Sequence, residues 1–378
     1  MGNEGKGFST KAIHSGDDGK NIISPIYQTA IFKHPNGEKI RGKDLKYSRE
    51  DNPTVHLLEQ KVASLECGED CLAFSSGMAA ISTAFLALAA KGDEVLTSKE
   101  VYGASLILLR SLKKFGLEVK CVLNEELANS IKPSTKFVFV ETMTNPTLSV
   151  PDLPEIIKAS RENAATLIVD NTFATPVNLR PLEIGADFVV HSATKYLGGH
   201  NDVIAGVLSG STSRIEGIWE WRRNLGGSLD PFAAYLVMRG LKTLKLRVLE
   251  HNKNATLIAQ FLESHKKVKR VNYPGLVSSP YNKRAKRFMS GFGGVISFEV
   301  GDGMQAYRLI SELKMIKPAP SLGGVETLIT HPASSSHKNI SPEERRELGI
   351  AEGLVRLSVG LEDVEDIMQD LGNALEKI

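Results

Sequence analysis

The sequence of this 378-residue chain predicts an α/β protein with a mainly parallel central sheet and a smaller α+β C-terminal unit. Three features carry that expectation. From Cys71 onward, short apolar runs alternate with amphipathic stretches, the rhythm of β-α-β units. The apolar runs are continuous rather than alternating, as in strands covered on both faces. Beyond Pro231 the strands become sparser and helical patterns longer.

Taken in order, residues 1–56 read as an irregular arm rich in Gly, Pro, Lys and Asp, with Asn52-Pro53 as a turn signal. Thr54 then fits a helix N-cap, because Val55, Leu58, Val62 and Leu65 follow at helical spacing. Strands are expected at CLAF (71–74), EVLTS (94–98), LEVKCV (117–122), KFVFVET (136–142), TLIVDN (166–171), DFVVHS (187–192) and VIAGVLSG (203–210). Helical patterns at 78–90, 104–115 and 153–163 separate several of them. One long helical pattern runs over 232–265, interrupted only by Gly240. VKRV (268–271), GGVISFEV (293–300) and LVRLSVG (354–360), with helices near 304–313 and 364–375, complete the smaller unit.

Lys and Arg number 46 against 44 Asp and Glu, so neither a nucleic acid nor a membrane surface is expected as the main partner. The apolar-leaning stretch 79–90 contains Ser82 and Thr83 and is too short to span a bilayer. The start MGNEGKGFSTK has no apolar leader core, and Lys6 stands where a myristoylation signal needs Ser or Thr. Cys67, Cys71 and Cys121 do not form a disulfide framework or a zinc-ligand spacing. Cys67 and Cys71 read instead as small buried side chains. His200, His331 and His337 lack acidic or thiol partners at a metal-binding spacing, so no metal is expected. A cytoplasmic protein is the resulting expectation.

Chemistry is sought beyond the carboxyl ends of the strands, where open α/β sheets bind ligands. After CLAF, Ser75-Ser76-Gly77-Met78 opens a helix, an arrangement that can cup an anion or serve as an ordinary capped turn. After TLIV stands Asp170, and after FVVHSAT stands Lys195. A deprotonated lysine can form a Schiff base, and an aspartate can keep a pyridine nitrogen protonated. Ser192 and Thr194 add hydroxyls beside the lysine. Taken alone, Asp170 reads first as a strand-end turn residue and Lys195 as a solvated charge. The basic runs 266–270 and 283–287 read as solvated faces.

The ordered set IISPIYQTAIF (22–32), YSREDNPT (47–54), FSSGMAA (74–80), VYG (101–103), ETMTNPT (141–147), VDNTFATP (169–176), HSATKYLGGHND (191–202), DPFAAYLVMRGLKTL (230–244), SLGGVETLITHPA (321–333) and LVRLSVGLED (354–363) resembles the transsulfuration, or Cys/Met-metabolism, enzymes. These use pyridoxal 5′-phosphate (PLP). The resemblance implies the PLP-dependent transferase fold, aspartate aminotransferase-like fold type I. It also implies an arm (1–56) reaching a neighbouring subunit, a large cofactor domain (57–240) and a small domain (241–378).

By the same resemblance, Lys195 carries the cofactor and shuttles protons, and Asp170 pairs with the pyridine nitrogen. Gly77, Met78, Ser192 and Thr194 cradle the phosphate. Tyr47 and Arg49 reach a neighbour's phosphate, which implies a homodimer with shared sites, within a homotetramer. Tyr102 stacks on the cofactor ring and assists proton transfer, Arg356 clamps the substrate carboxylate, and Asn145 and Ser321 line the pocket. Cystathionine γ-synthase-type γ-replacement on an O-activated homoserine is the first expectation, with cystathionine γ-lyase as the alternative. Ala104 stands where methionine γ-lyases carry a cysteine, which argues against that specialist. Pro320 replaces a Glu of many synthases and γ-lyases, and Lys46 an acidic residue of some synthases. An O-acylhomoserine sulfhydrylase fits less well. A PLP-binding regulator without turnover is the non-enzyme alternative, although no segment is left over for a DNA-binding module.

Overall fold

The computed structural model describes residues 5–17, 19, 21–33, 41, 45–338 and 340–378. The apolar runs become β1 (Asp70–Phe74), β2 (Glu94–Ser98), β3 (Glu118–Val122), β4 (Thr135–Glu141), β5 (Thr166–Asp170), β6 (Phe188–Ser192) and β7 (Gly206–Gly210). They form one sheet in the order β1-β7-β6-β5-β4-β2-β3. β2 to β6 pair in parallel, whereas β7 runs antiparallel to both β1 and β6. Residues 193–205 contain no helix, and a parallel return would have required a crossover helix. The strand expected over 203–210 is therefore shorter and reversed.

Alternation along the strands sends side chains to two helical layers. Leu72, Phe74, Phe139, Ile168 and Phe188 pack against helices Gly77–Leu88, Gly103–Ser111 and Thr212–Leu225. Cys71, Ala73 and Val207 face helices Pro53–Glu66 and Pro231–Leu241 on the other side. The second sheet contains β8 (Arg270–Asn272), β9 (Val295–Glu299), β10 (Lys317–Pro318), β11 (Leu328–Thr330) and β12 (Leu354–Ser358), in the order β10-β11-β12-β9-β8. Helices Leu244–Ser264 and Val364–Leu375 cover it through Ile258, Leu262, Ile367 and Leu371.

Several expectations need correction. The N-cap of the first long helix is Asn52, whose side chain accepts the Thr54 amide at 2.9 Å, with Pro53 in the first turn. Thr54 instead accepts the Tyr27 amide at 2.9 Å and so ties down the arm. The pattern over 232–265 is two helices, Pro231–Leu241 and Leu244–Ser264. Arg247 takes the Gly240 carbonyl at 2.8 Å, an acceptor that a continuous helix would keep for itself. Gly240 lies inside the first helix, where a Cβ would stand 2.2 Å from the Gly198 carbonyl oxygen. Cys67 is exposed rather than buried, because it caps a helix in the left-handed conformation (φ 58°) as the chain turns outward. Within the basic runs, Arg284 pairs with Glu125 at 2.7 Å and Arg287 with Asp152 at 2.6 Å. Among the described residues no helix is long and apolar enough to cross a membrane.

Glu59 fixes the base of the first sheet. Its carboxylate is fully buried and meets Arg222 at 2.5 Å, Arg41 at 2.8 Å and the Ala73 amide at 2.9 Å. Burial alone would raise its pKa, but Arg41 and Arg222 outweigh that and hold the carboxyl well below the usual range. Glu59→Gln leaves buried Arg222 without its counter-charge, whereas Arg41 keeps Asp70, and is expected to cost about 3–5 kcal/mol by urea unfolding at pH 7. Because the folded-state pKa is depressed, this contribution is complete above the unfolded value of 4.5 and is lost as the pH falls below it. The difference between variant and parent therefore narrows on acidification.

Candidate active site

The carboxyl ends of β1, β2, β4, β5 and β6 point the same way, and β7 begins where they end. Gly206, the first residue of β7, pairs with both Phe74 and Ser192. A Cβ there would lie 2.1 Å from the Ser76 carbonyl oxygen, so only glycine lets the loops after β1 and β6 close together. Ser76 caps helix Gly77–Leu88 by accepting the Ala79 amide at 3.1 Å. The Gly77 and Met78 amides precede the first possible intrahelical acceptor and sit at the positive end of the helix dipole. With the Ser192 and Thr194 hydroxyls nearby, they form a seat suited to a phosphate.

Lys195 lies on the helix-free return between β6 and β7. Buried Arg247 fixes this loop by donating to the Tyr196 carbonyl at 2.8 Å. Its guanidinium fills the space a Cβ of Gly199 (φ +73°) would occupy, 2.0 Å away, which explains the glycine after Leu197-Gly198. The Lys195 amine donates to Ser321 Oγ at 2.9 Å. Burial, reinforced by the positive charge of Arg356, lowers its pKa from 10.5 to about 8. About a tenth of the amine is then free to attack an aldehyde at pH 7, against less than a thousandth at the ordinary value.

Arg356, on β12, is 6% exposed. It donates to Asn145 Oδ1 at 3.0 Å and to the Ser321 carbonyl at 2.7 Å, and its Nε has no partner among the described residues. Both acceptors are neutral, and burial brings the guanidinium down to about 10. An uncompensated buried guanidinium facing a cavity is a seat for a carboxylate. Ser321 holds a φ of +104°, a strained conformation for a residue with a side chain, while contacting both cations.

These groups line one cavity of about 580 Å³. Ten of the twelve residues singled out in the sequence border it: Gly77, Met78, Tyr102, Asn145, Asp170, Ser192, Thr194, Lys195, Ser321 and Arg356. Tyr47 and Arg49 do not. Tyr47 bridges to Ile31, and Arg49 lies 5.4 Å over its ring while donating to the Arg223 carbonyl. The anion seat, the buried amine and the carboxyl of Asp170 together fit PLP. Glu141, at the end of β4, was missed, although it ends its strand as Asp170 ends β5 and the same rule could have found it. Met143, Thr172, Phe173 and Ile204 also line the cavity. They carry no charge signal by which a sequence would single them out.

A model of the family described as "Cys/Met metabolism PLP-dependent enzyme" matches residues 9–376. The chain is 44% identical to the L-methionine gamma-lyase of Fusobacterium nucleatum subsp. polymorphum, over 98% of each chain. It is 44% identical to the cystathionine gamma-lyase of Bacillus subtilis (strain 168), over 98% of this chain and 99% of that one. The solved cystathionine gamma synthase of Xanthomonas oryzae pv. oryzae, in complex with aminoacrylate and cysteine, superposes with a TM-score of 0.93 at 35% identity over 98% of each chain. The chain belongs to the Cys/Met-metabolism PLP-dependent enzyme family and has the α/β fold type I architecture of its members.

The lowered amine is directly testable. The rate at which the apoprotein takes up PLP, followed by visible absorbance, should rise with pH through a midpoint of about 8. Arg356→Met should move that midpoint upward. A wild-type midpoint at the ordinary 10.5 would refute the assignment.

Proposed function

We propose that the chain catalyses γ-elimination on a sulfur amino acid such as cystathionine, in which water and the substrate give a thiol product, ammonia and a 2-oxo acid. The pairing of the Lys195 amine with the Arg356 guanidinium across Ser321 carries this reading. Bound PLP supplies the electron sink that makes the Cα proton of an amino acid removable. Arg356 binds the substrate carboxylate through a planar fork and so orients the Cα–H bond. The amine of Lys195, once free, takes that proton and moves a proton at Cβ, which lets the γ-substituent depart. Tyr102 would cover the cofactor ring and Asp170 would hold the pyridine nitrogen protonated, while Asn145 accepts from the guanidinium and keeps it aimed.

Elimination is favoured over replacement by the charges lining the cavity. Among the described residues of one chain, Asp170 and Glu141 are the carboxyls that border it, side by side at the sheet end. Neither is free to receive the ammonium of a second amino acid, and Pro320 is apolar. The motifs by themselves put γ-replacement first; it stays as the second reading because of the likeness to a solved cystathionine gamma synthase. In that case a cysteine thiol attacks where water otherwise does, and cystathionine is the product.

The arm completes the site in trans under this reading, with Tyr47 and Arg49 of one copy reaching the phosphate seat of another. The arm (1–56), the lysine-bearing unit (57–240) and the Arg356-bearing unit (241–378) are the functional parts of a homodimer.

The reaction is tested by incubating the holoenzyme with cystathionine alone, and separately with cysteine plus each O-activated homoserine. Elimination gives 2-oxobutyrate from cystathionine without added thiol. Cystathionine formation with no 2-oxobutyrate would select replacement. Lys195→Ala should lower either activity by at least about a thousandfold and abolish the visible band of the bound cofactor.

A shared site makes a second prediction. Lys195→Ala and Arg49→Ala proteins, each inactive alone, should regain about a quarter of wild-type activity when refolded as a mixture, because a mixed dimer rebuilds one intact site. No recovery would mean that Arg49 serves its own subunit or none.

A further inference from the structure

Glu141 ends β4 as Asp170 ends β5, and the two residues pair directly in the parallel register. Residues so paired point to the same face and stand about 5 Å apart. Glu141 is buried, and Asp170 is half-buried at the cavity floor. Two adjacent carboxylates in such a place cannot both keep their charge cheaply.

The surroundings decide which one keeps it. Asp170 accepts the Thr172 amide at 2.9 Å, and His191, itself bound to Glu66 at 2.5 Å, adds an opposing pull. Glu141 also feels the negative charge of Glu100, a smaller effect in the same direction as that of Asp170. Lys195 and Arg356 border the same cavity but are engaged with Ser321 and Asn145. Burial first, and then the charge of Asp170, pushes the Glu141 carboxyl well above the usual range against the pull of the Tyr102 amide; burial raises Asp170 too, but there the two Thr172 hydrogen bonds and His191 oppose it. The proton shared by the pair therefore belongs on Glu141.

Glu141 also has a structural partner. Its Oε1 accepts the Tyr102 amide at 2.6 Å. Tyr102 is the N-cap of helix Gly103–Ser111 and makes no capping bond with its own side chain. The place where that helix starts, and with it the base of the Tyr102 ring, is set by a side chain from a different strand.

We propose that Glu141 is a positioning residue of the cofactor site. As a neutral acid it anchors Tyr102, and by holding the shared proton it leaves Asp170 as the one carboxylate that faces the cofactor ring. The inference rests on reading Tyr102 and Asp170 as cofactor contacts.

Holoenzyme carrying Glu141→Ala or Glu141→Gln tests it. Alanine removes the acceptor, and PLP affinity is expected to fall about tenfold. Glutamine has the shape of the neutral acid and keeps a carbonyl acceptor, so it should recover most of that loss. Infrared difference spectra should show a protonated buried carboxyl at neutral pH in the wild type that is missing from Glu141→Gln.

Three results would overturn the proposal: glutamine as damaging as alanine, alanine without effect on cofactor affinity, or no protonated-carboxyl band in the wild type. If the alanine variant does not fold, the glutamine variant and the infrared band decide. Asp170→Asn distinguishes a failure of the underlying reading. It should shift the visible spectrum of the bound cofactor, and an unchanged spectrum overturns the role given to Asp170 and with it that half of the proposal.

Discussion

Arg356 reaches from β12 of the second sheet to the amide oxygen of Asn145 beyond β4 and to the carbonyl of Ser321, and neither neutralises its charge. Burying an unpaired guanidinium costs several kcal/mol by itself, so the surrounding packing must hold it there. Much of the site follows from that constraint. The unmet charge creates the seat for an anionic group, and it helps lower the Lys195 amine into the range where it can react. It also ties the strained Ser321 to both sheets, so the backbone that meets the lysine is fixed from two sides.

Arginine serves opposite ends elsewhere in the chain. Arg222 and Arg41 are matched by Glu59 and Asp70, and their work is stability at the base of the sheet. Arg247, like Arg356, is buried on neutral carbonyls, but it faces the protein rather than a cavity. It fastens the Lys195 loop to the start of the second long helix. The same side chain thus locks structure where its hydrogen bonds are filled from within, and waits for a ligand where they are not.

The carboxyls at the sheet end repeat this logic with the sign reversed. Asp170 and Glu141 are forced together by strand register rather than by mutual attraction. In the proposed function the cofactor's ring nitrogen would give Asp170 a reason to stay charged, and the Tyr102 amide holds Glu141 in place. Conflict between neighbours is tolerated here because both acids have separate work.

Much of the fold and site was legible in the chain. Continuous apolar runs marked the strands of the first sheet because burial on both faces leaves no polar positions, and the ends of those strands located Lys195, Asp170 and the Gly77 helix start. Short elements were less visible: β10 and β11, of two and three residues, give too few positions for a period to appear. The reversal of β7 follows from a return too short for a crossover helix, which the close spacing of the two runs signals, whereas the break near Thr243 comes from a side chain that takes a backbone acceptor and leaves no mark in the local pattern. The sequence by itself determined which groups the chemistry has available, because residue type sets charge, nucleophilicity and hydrogen-bonding capacity. Only the tertiary structure decided what those groups do: that the pKa of the Lys195 amine is lowered to about 8, that Arg356 lacks a counter-charge among the described residues, that Glu141 adjoins Asp170, and that Tyr47 and Arg49 stand outside their own chain's cavity. Those properties depend on burial and on neighbours distant in sequence, and no local pattern encodes distance in space.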